Sequence, residues 1–137
     1  MISCTSRLIS CAILLLISAC TSQPTDKPPE LLGEANSLIS NGVDQYNQAN
    51  YSKATVLFEQ AMYIYRSIDN PDGTASAYIN LAKTAITQHE LTRATYWLAQ
   101  TRSIVDAEQL TALQNHITII GSSIAIEQHD YTAAKNM

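Results

Sequence analysis

The sequence is poor in glycine and proline, the residues that break helices. Only four glycines, four prolines and one phenylalanine occur among its 137 residues. No segment sustains the alternation of apolar and polar residues that is typical of a half-buried strand. We therefore expect one domain at most, and we expect it to be built from helices.

Charge is scarce as well. Only 15% of the residues are charged and the formal net charge is -4, with no cluster of Lys or Arg. The sequence thus lacks the basic patch that nucleic-acid binding requires, which excludes that class of function. The hydrophobic share of 46% is typical of a folded chain and not of a disordered one.

Cysteine is confined to the first twenty residues, at Cys4, Cys11 and Cys20. Residues 8–17, which include Cys11, form an apolar run that follows Arg7. Ten residues rise only about 15 Å as a helix, roughly half the thickness of a bilayer's hydrocarbon core. The run is too short to be a stable membrane span and is typical of a targeting segment.

The residues that follow this run, Ile-Ser-Ala-Cys at 17–20, resemble a bacterial lipobox. The resemblance implies that residues 1–19 are a lipoprotein signal peptide and that Cys20 carries a lipid anchor. An ordinary signal peptide with a chance cysteine is the alternative. After cleavage Cys20 would be the sole cysteine, which leaves no disulfide, thiol catalysis or cysteine metal site.

Residues 20–30 contain three of the four prolines. Proline-rich chain favours an extended conformation, so we expect a tether that reaches ~30 Å from the membrane. Thr21 follows the cysteine where inner-membrane lipoproteins of Gram-negative bacteria have an Asp. This resemblance implies an outer-membrane protein that faces the periplasm.

One stretch of sequence recurs with a period of 40. Residues 85–94 return at 125–134, and a weaker copy stands at 45–54, with Gln48, Gln88 and Gln128 in the same position. A fixed period indicates a repeat array. We expect a helical repeat domain over residues 31–137, with repeats at 35–74 and 75–114 and a partial third at 115–137.

The spacing of apolar residues predicts six helices. They cover about 31–48, 52–68, 74–88, 92–105 and 106–128, and the last begins at 132. Ser52 is a candidate N-cap for the second helix. Residues 69–73, Asp-Asn-Pro-Asp-Gly, are expected to form the turn that follows it.

Small and large residues alternate around each predicted helix pair at fixed intervals. The first repeat has Gly42, Tyr51, Ala54, Phe58 and Ala61; the second has Ala82, Leu91, Ala94, Leu98 and Thr101; the third has Ser122, Tyr131 and Ala134. This pattern resembles the tetratricopeptide repeat. The resemblance implies an all-α solenoid of about 2.5 antiparallel helix pairs, in which small residues permit close crossing.

Two features depart from that family. The period is 40 instead of the usual 34, so armadillo-like and HEAT-like arrays are the alternative. The third repeat also lacks a complete second helix, because six residues after the turn are too few to form one alone. Either the fifth helix caps the array, or a partner completes it, or the chain is a truncated copy.

Residues that could support catalysis or metal binding are few. His89 and His129 occupy equivalent turn positions about 10 Å apart, too far to share a metal ion, and His116 is isolated. We interpret Glu90 and Asp130 as residues that favour helix starts. No Ser/His/Asp arrangement, Gly-rich phosphate loop or cluster with metal-ligand spacing is present, so we expect no enzyme activity, cofactor or metal.

The resemblance further implies a concave groove lined by the first helix of each pair. Its predicted residues are Ile39, Val43, Tyr46, Ile79, Asn80, Lys83 and Ile86, although some of these isoleucines could equally be core. The family's Lys/Asn clamp for a carboxylate is not matched. A mixed surface of this kind suits a partner peptide or helix instead of a small-molecule substrate.

The function implied is a membrane-anchored adaptor or scaffold of the bacterial cell envelope that binds another protein. Two alternatives remain open from the sequence. One is an accessory regulatory subunit of an envelope hydrolase or transporter. The other is a truncated relic of a longer repeat lipoprotein.

Overall fold

The structure is a computed structural model that describes the backbone of residues 29–135 and the side chains of residues 30–129. Within this range five α-helices follow one another and no strand occurs. They are α1 (Pro29–Asn47), α2 (Tyr51–Ser67), α3 (Pro71–Thr87), α4 (Leu91–Ala107) and α5 (Gln114–Lys135), with a 3₁₀ turn at Thr111–Leu113. Each helix packs against its neighbours in the chain, which confirms the all-α repeat architecture.

The turns between these helices recur every 20 residues. Each contains one residue with positive φ: Ala49 at 62°, Asp69 at 51°, His89 at 58° and Gln109 at 55°. After each of them, a backbone N–H donates to a carbonyl five residues earlier, as from Asn50 to Gln45 at 2.9 Å. This is the Schellman geometry that ends a helix. The sequence period of 40 therefore contains two structural steps of 20 residues.

Several predicted boundaries need correction. Ser52 lies inside α2 and is not its N-cap, because Asn50 occupies that position. The third helix begins at Pro71, and the side chain of Asn70 accepts a hydrogen bond from the N–H of Gly73 at 3.0 Å. Proline suits the first position of a helix because no intrahelical partner is needed for its nitrogen.

The last helix differs most from the prediction. It begins at Gln114 instead of residue 106, and it continues to Lys135 through the turn expected at residues 128–131. A short separate helix after a turn at residues 128–131 would not be stable alone. One continuous helix is favoured because it keeps the backbone hydrogen bonds that the turn would break. The side chains of Tyr131 and Ala134 lie outside the described residues.

Two clusters of buried side chains form the core. One lies among α1, α2 and α3 and contains Phe58, Met62, Tyr65, Tyr78 and Leu81; the other lies among α3, α4 and α5 and contains Ile79, Leu98, Val105, Ile117, Ile120 and Ile124. Trp97 packs against both clusters and stacks on Tyr78, with 5.3 Å between ring centroids. The clusters therefore form one continuous core centred on α3.

The predicted packing residues are mostly buried. Tyr51 and Leu91 are half-buried beside the turns, whereas Gly42, Ala54, Phe58, Ala61, Ala82, Ala94 and Leu98 are buried. The atoms nearest to a Cβ placed on Gly42 would belong to the ring of Phe58 and not to Ala54. Ser122 is exposed, contrary to prediction, because no further described helix packs against that side of α5.

Candidate binding groove

A cleft of about 240 Å³ lies between α1 and α3, and we refer to it as the groove. Its two walls come from the first helices of the first and second hairpins, and its floor comes from α2. The lining residues are Val43, Tyr46 and Asn47 on α1, Phe58 on α2, and Asn80 and Lys83 on α3. The groove is therefore a product of the repeat, because equivalent helices of successive hairpins form its walls.

Gly42 explains how the ring of Phe58 reaches the groove. A Cβ atom on Gly42 would lie 2.5 Å from Cε1 of Phe58, which is closer than real carbon atoms approach. The absence of a side chain lets the ring pack directly on the backbone of α1. The ring is only 1% exposed, so it supplies a firm apolar floor.

Tyr46 joins three helices at one end of the groove. Its hydroxyl lies 2.8 Å from Oγ1 of Thr87 on α3. The Thr87 hydroxyl donates to the carbonyl of Lys83 at 3.1 Å, so the Tyr46 hydroxyl donates to Thr87. The Tyr46 ring also packs edge-to-face on Tyr51, the first residue of α2, at 5.4 Å. These contacts hold the two walls at a fixed separation.

A second tyrosine holds α1 against α2. The hydroxyl of Tyr65 donates to Oδ1 of Asn36 at 2.7 Å. Burial raises the pKa of Tyr65, and the neighbouring carboxylate of Asp72 raises it further. The hydroxyl therefore stays protonated, and remains a donor, throughout the neutral range.

Four of the predicted groove residues, Val43, Tyr46, Asn80 and Lys83, line the groove. Ile39 and Ile86 are half-buried and pack against the two core clusters. Ile79 is only 5% exposed and belongs to the core, so its assignment to the groove is corrected. The reason is that α3 packs against α2, α4 and α5 and therefore buries more of its circumference than α1 does.

The chemistry of the groove is mixed. Val43, at 37% exposure, presents apolar surface beside the buried ring of Phe58, while Asn47 and Asn80 supply amide donors and acceptors. Lys83 is exposed and is the one charged residue among those that line the groove. Such a site can take an apolar side chain, hydrogen-bond the backbone beside it and pair with a nearby carboxylate.

A wider depression of about 530 Å³ lies beside the first turn and the end of α3. Asn50 Nδ2 donates there to Gln45 Oε1 at 3.2 Å. The depression is open to solvent and, unlike the groove, lacks a buried aromatic residue in its lining. Its lining residues are Gln45, Ala49, Asn50, Tyr51, Ser52, Lys53 and Gln88.

The histidines and carboxylates of the turns form surface contacts. His89 Nδ1 lies 3.1 Å from Oε2 of Glu127 and connects the third turn to α5. Glu90 occupies the N-cap position of α4, as predicted, but its side chain makes no capping hydrogen bond and instead accepts one from Arg93 at 2.6 Å. Exposed pairs of this kind contribute little to stability, and the side chain of Asp130 lies outside the described residues.

The described part of the chain contains neither a cluster of metal ligands nor a helix that could span a membrane. No group of three or more His, Cys, Asp or Glu side chains within it could hold a metal ion. None of the helices at residues 29–135 combines the length and the apolar composition that crossing a bilayer demands. Cys20 and residues 21–28 of the predicted tether lie outside the described residues, whereas Pro29 and Glu30, also predicted as tether, form the start of α1.

Comparison with known proteins finds no match to this chain among protein-family models, curated proteins or solved structures. Function is therefore inferred from the residues and contacts of this chain itself.

Proposed function

We propose that the protein is a lipid-anchored adaptor of the bacterial cell envelope that binds a segment of a partner protein in the groove. The observation that carries the proposal is the groove itself. Two equivalent helices enclose a cleft with an apolar floor, amides on both sides and one lysine, Lys83. This combination fits a peptide or helix that inserts one apolar side chain.

The size of the groove sets the strength of the interaction. Burial of ~100 Å² of apolar surface against Val43 and Phe58 would contribute ~2.5 kcal/mol. Pairing of a carboxylate with the exposed Lys83 would add at most about 1 kcal/mol. A single pocket therefore supports weak, reversible binding, which anchoring of both proteins at one membrane would strengthen by raising the effective concentration.

We also propose that the repeats are of the tetratricopeptide type. The support is that one helix pair occurs per 40 residues and that the small residues of the pattern are buried where helices cross. Ala54, Ala61, Ala82 and Ala94 are each 0% exposed. Small side chains at these positions permit the close helix packing that the repeat requires.

The lipid anchor is proposed from the resemblance of residues 17–20 to a lipobox, and its test does not depend on the groove. Metabolic labelling with palmitate should mark the wild-type protein, and Cys20→Ala should abolish the label and leave the precursor uncleaved. Continued labelling of the variant would refute the lipid anchor without affecting the proposal for the groove.

Two lysines allow a matched test of the groove. Lys83 lines the groove and Lys53 lines the open depression, so Lys83→Glu and Lys53→Glu change the net charge equally. We expect crosslinking and affinity capture from the native envelope to recover a partner with wild type and Lys53→Glu, and markedly less with Lys83→Glu. Loss with Lys53→Glu alone would place binding in the depression instead.

A further inference from the structure

One side of α5 is bare at positions that are covered in the earlier hairpins. In α1 and α3, the positions 40 and 80 residues before Asn115, Thr118, Ile119, Ser122 and Ile126 are all buried or half-buried. The five residues of α5 are all exposed, with Ile119 at 59% and Ile126 at 62%. We call these five residues the end face.

The composition of α5 fits a helix that is covered on two sides. Residues 115–126 contain no Asp, Glu, Lys or Arg. Ile117, Ile120 and Ile124 face the core, while Ile119 and Ile126 face outward. A helix that is apolar on both sides is ordinarily buried, and depletion of charge is typical of the centre of an interface.

At the opposite end of the array, the outer surface of α1 is polar and exposed. In α3 the side that faces the preceding hairpin carries the buried residues Thr74, Ala77, Leu81 and Thr84. The equivalent positions of α1 are exposed and polar, namely Glu34, Ser37, Asn41 and Asp44. Terminal repeats need such a polar outer face. This polar surface offers no apolar residue to Ile119 and Ile126 of the end face, which argues against end-to-end stacking of copies.

The earlier hairpins show what shape covers this side of a helix. Phe58 of α2 packs on Gly42 of α1, so a large residue meets a small one. Ser122 is the residue of α5 equivalent to Gly42. A second copy of α5, crossing at Ser122, would place another serine there, so it would not reproduce the packing of a large residue on a small one that is seen between Phe58 and Gly42.

We propose that the end face binds an amphipathic helix of a partner protein, in the place that α2 and α4 occupy in the earlier hairpins. The partner helix carries a large apolar residue with a small residue four positions before it and another three positions after it. Within this chain, that pattern occurs as Ala54, Phe58 and Ala61, and as Ala94, Leu98 and Thr101. The proposal is independent of the groove.

The test uses a labelled synthetic peptide with the sequence of residues 91–107 as the probe and the full chain in detergent as the receptor. We expect saturable binding that Ile119→Glu or Ile126→Glu weakens at least about tenfold. Val56→Glu is the matched control, because Val56 is 51% exposed on α2, away from the end face. Lys83→Glu should also leave the affinity unchanged, which separates this site from the groove.

The peptide provides its own control. Leu98→Glu in the peptide should abolish binding, whereas Thr95→Glu, at a position exposed in α4, should have little effect. No binding at about 1 mM peptide, or equal binding by Ile119→Glu with unchanged helix content, would overturn the proposal. Concentration-dependent dimerisation that Ile119→Glu abolishes would also overturn it, because a second copy would then be the occupant.

Discussion

At the scale of single residues, the four turns carry a conformational cost. Their positive-φ residues are Ala49, Asp69, His89 and Gln109, and none of them is glycine. Residues with a Cβ atom adopt this left-handed region at a cost of roughly 1–2 kcal/mol, whereas glycine adopts it freely. The Schellman hydrogen bonds and the packing of the helices on either side must offset that cost.

This cost leads to a prediction in which one substitution has opposite effects at two positions. Ala49→Gly should stabilise the fold by about 1 kcal/mol, because it relieves the left-handed strain. Ala99→Gly, at an exposed position inside α4, should destabilise it by about 0.5–1 kcal/mol. Thermal unfolding measures both effects, and destabilisation by Ala49→Gly would contradict the turn geometry.

Gly42 and Gly33 provide a second pair, since both lie in α1. Gly42→Ala should destabilise the fold by about 1–2 kcal/mol, because its Cβ would overlap the ring of Phe58. Gly33→Ala should stabilise it by about 0.5–1 kcal/mol, because nothing lies within 4 Å and alanine favours a helix. Unfolding in denaturant compares the two variants, and equal stability would refute the close contact at Gly42.

At the scale of helices, the starts of α2 and α3 differ although both have an asparagine N-cap. Asn70 accepts a hydrogen bond from the N–H of Gly73, whereas Asn50 makes no capping bond. Asn70→Ala should therefore cost about 1 kcal/mol, and Asn50→Ala clearly less. The midpoints of thermal unfolding distinguish them, and a larger loss for Asn50→Ala would contradict the assignment of the caps.

The sequence predicts α1 to α4 well and α5 poorly, for physical reasons. Apolar spacing and the residues Asn70 and Pro71 indicate where the first four helices lie. The fourth turn escapes prediction because Gln109 has no preference for positive φ and no Gly or Pro stands beside it. His129 is the sequence equivalent of His89 in the third turn, but it lies inside α5. A turn there would need a following helix long enough to pack back on α5, and the residues that follow are too few.

At the scale of the whole molecule, the number of helices packed around each helix determines which of the residues predicted for the groove line it and which lie in the core. The repeat pattern predicts Val43, Tyr46, Asn80 and Lys83 because equivalent positions share a face. It does not reveal that α3 is covered by three helices, which places Ile79 in the core. The sequence predicts Phe58 only as a member of the repeat pattern, and its part in the groove depends on the bare backbone of Gly42.

The array has a polar surface on α1, a groove between its two hairpins and the uncharged end face on α5. The groove depends on contacts between elements distant in sequence, such as that between Tyr46 and Thr87. Its shape is therefore maintained only while both hairpins are folded. We expect a partner to bind in this groove and not on the outer surface of the second helices.

Site-specific photocrosslinking in the native envelope tests this claim most directly. A photoreactive amino acid is placed at Val43, which lines the groove, or at Val56, which is exposed on α2 outside it. We predict a discrete crosslinked adduct from Val43 that Lys83→Glu abolishes, and no equivalent adduct from Val56. An adduct from Val56 alone, or adducts from both positions that persist in Lys83→Glu, would contradict the account.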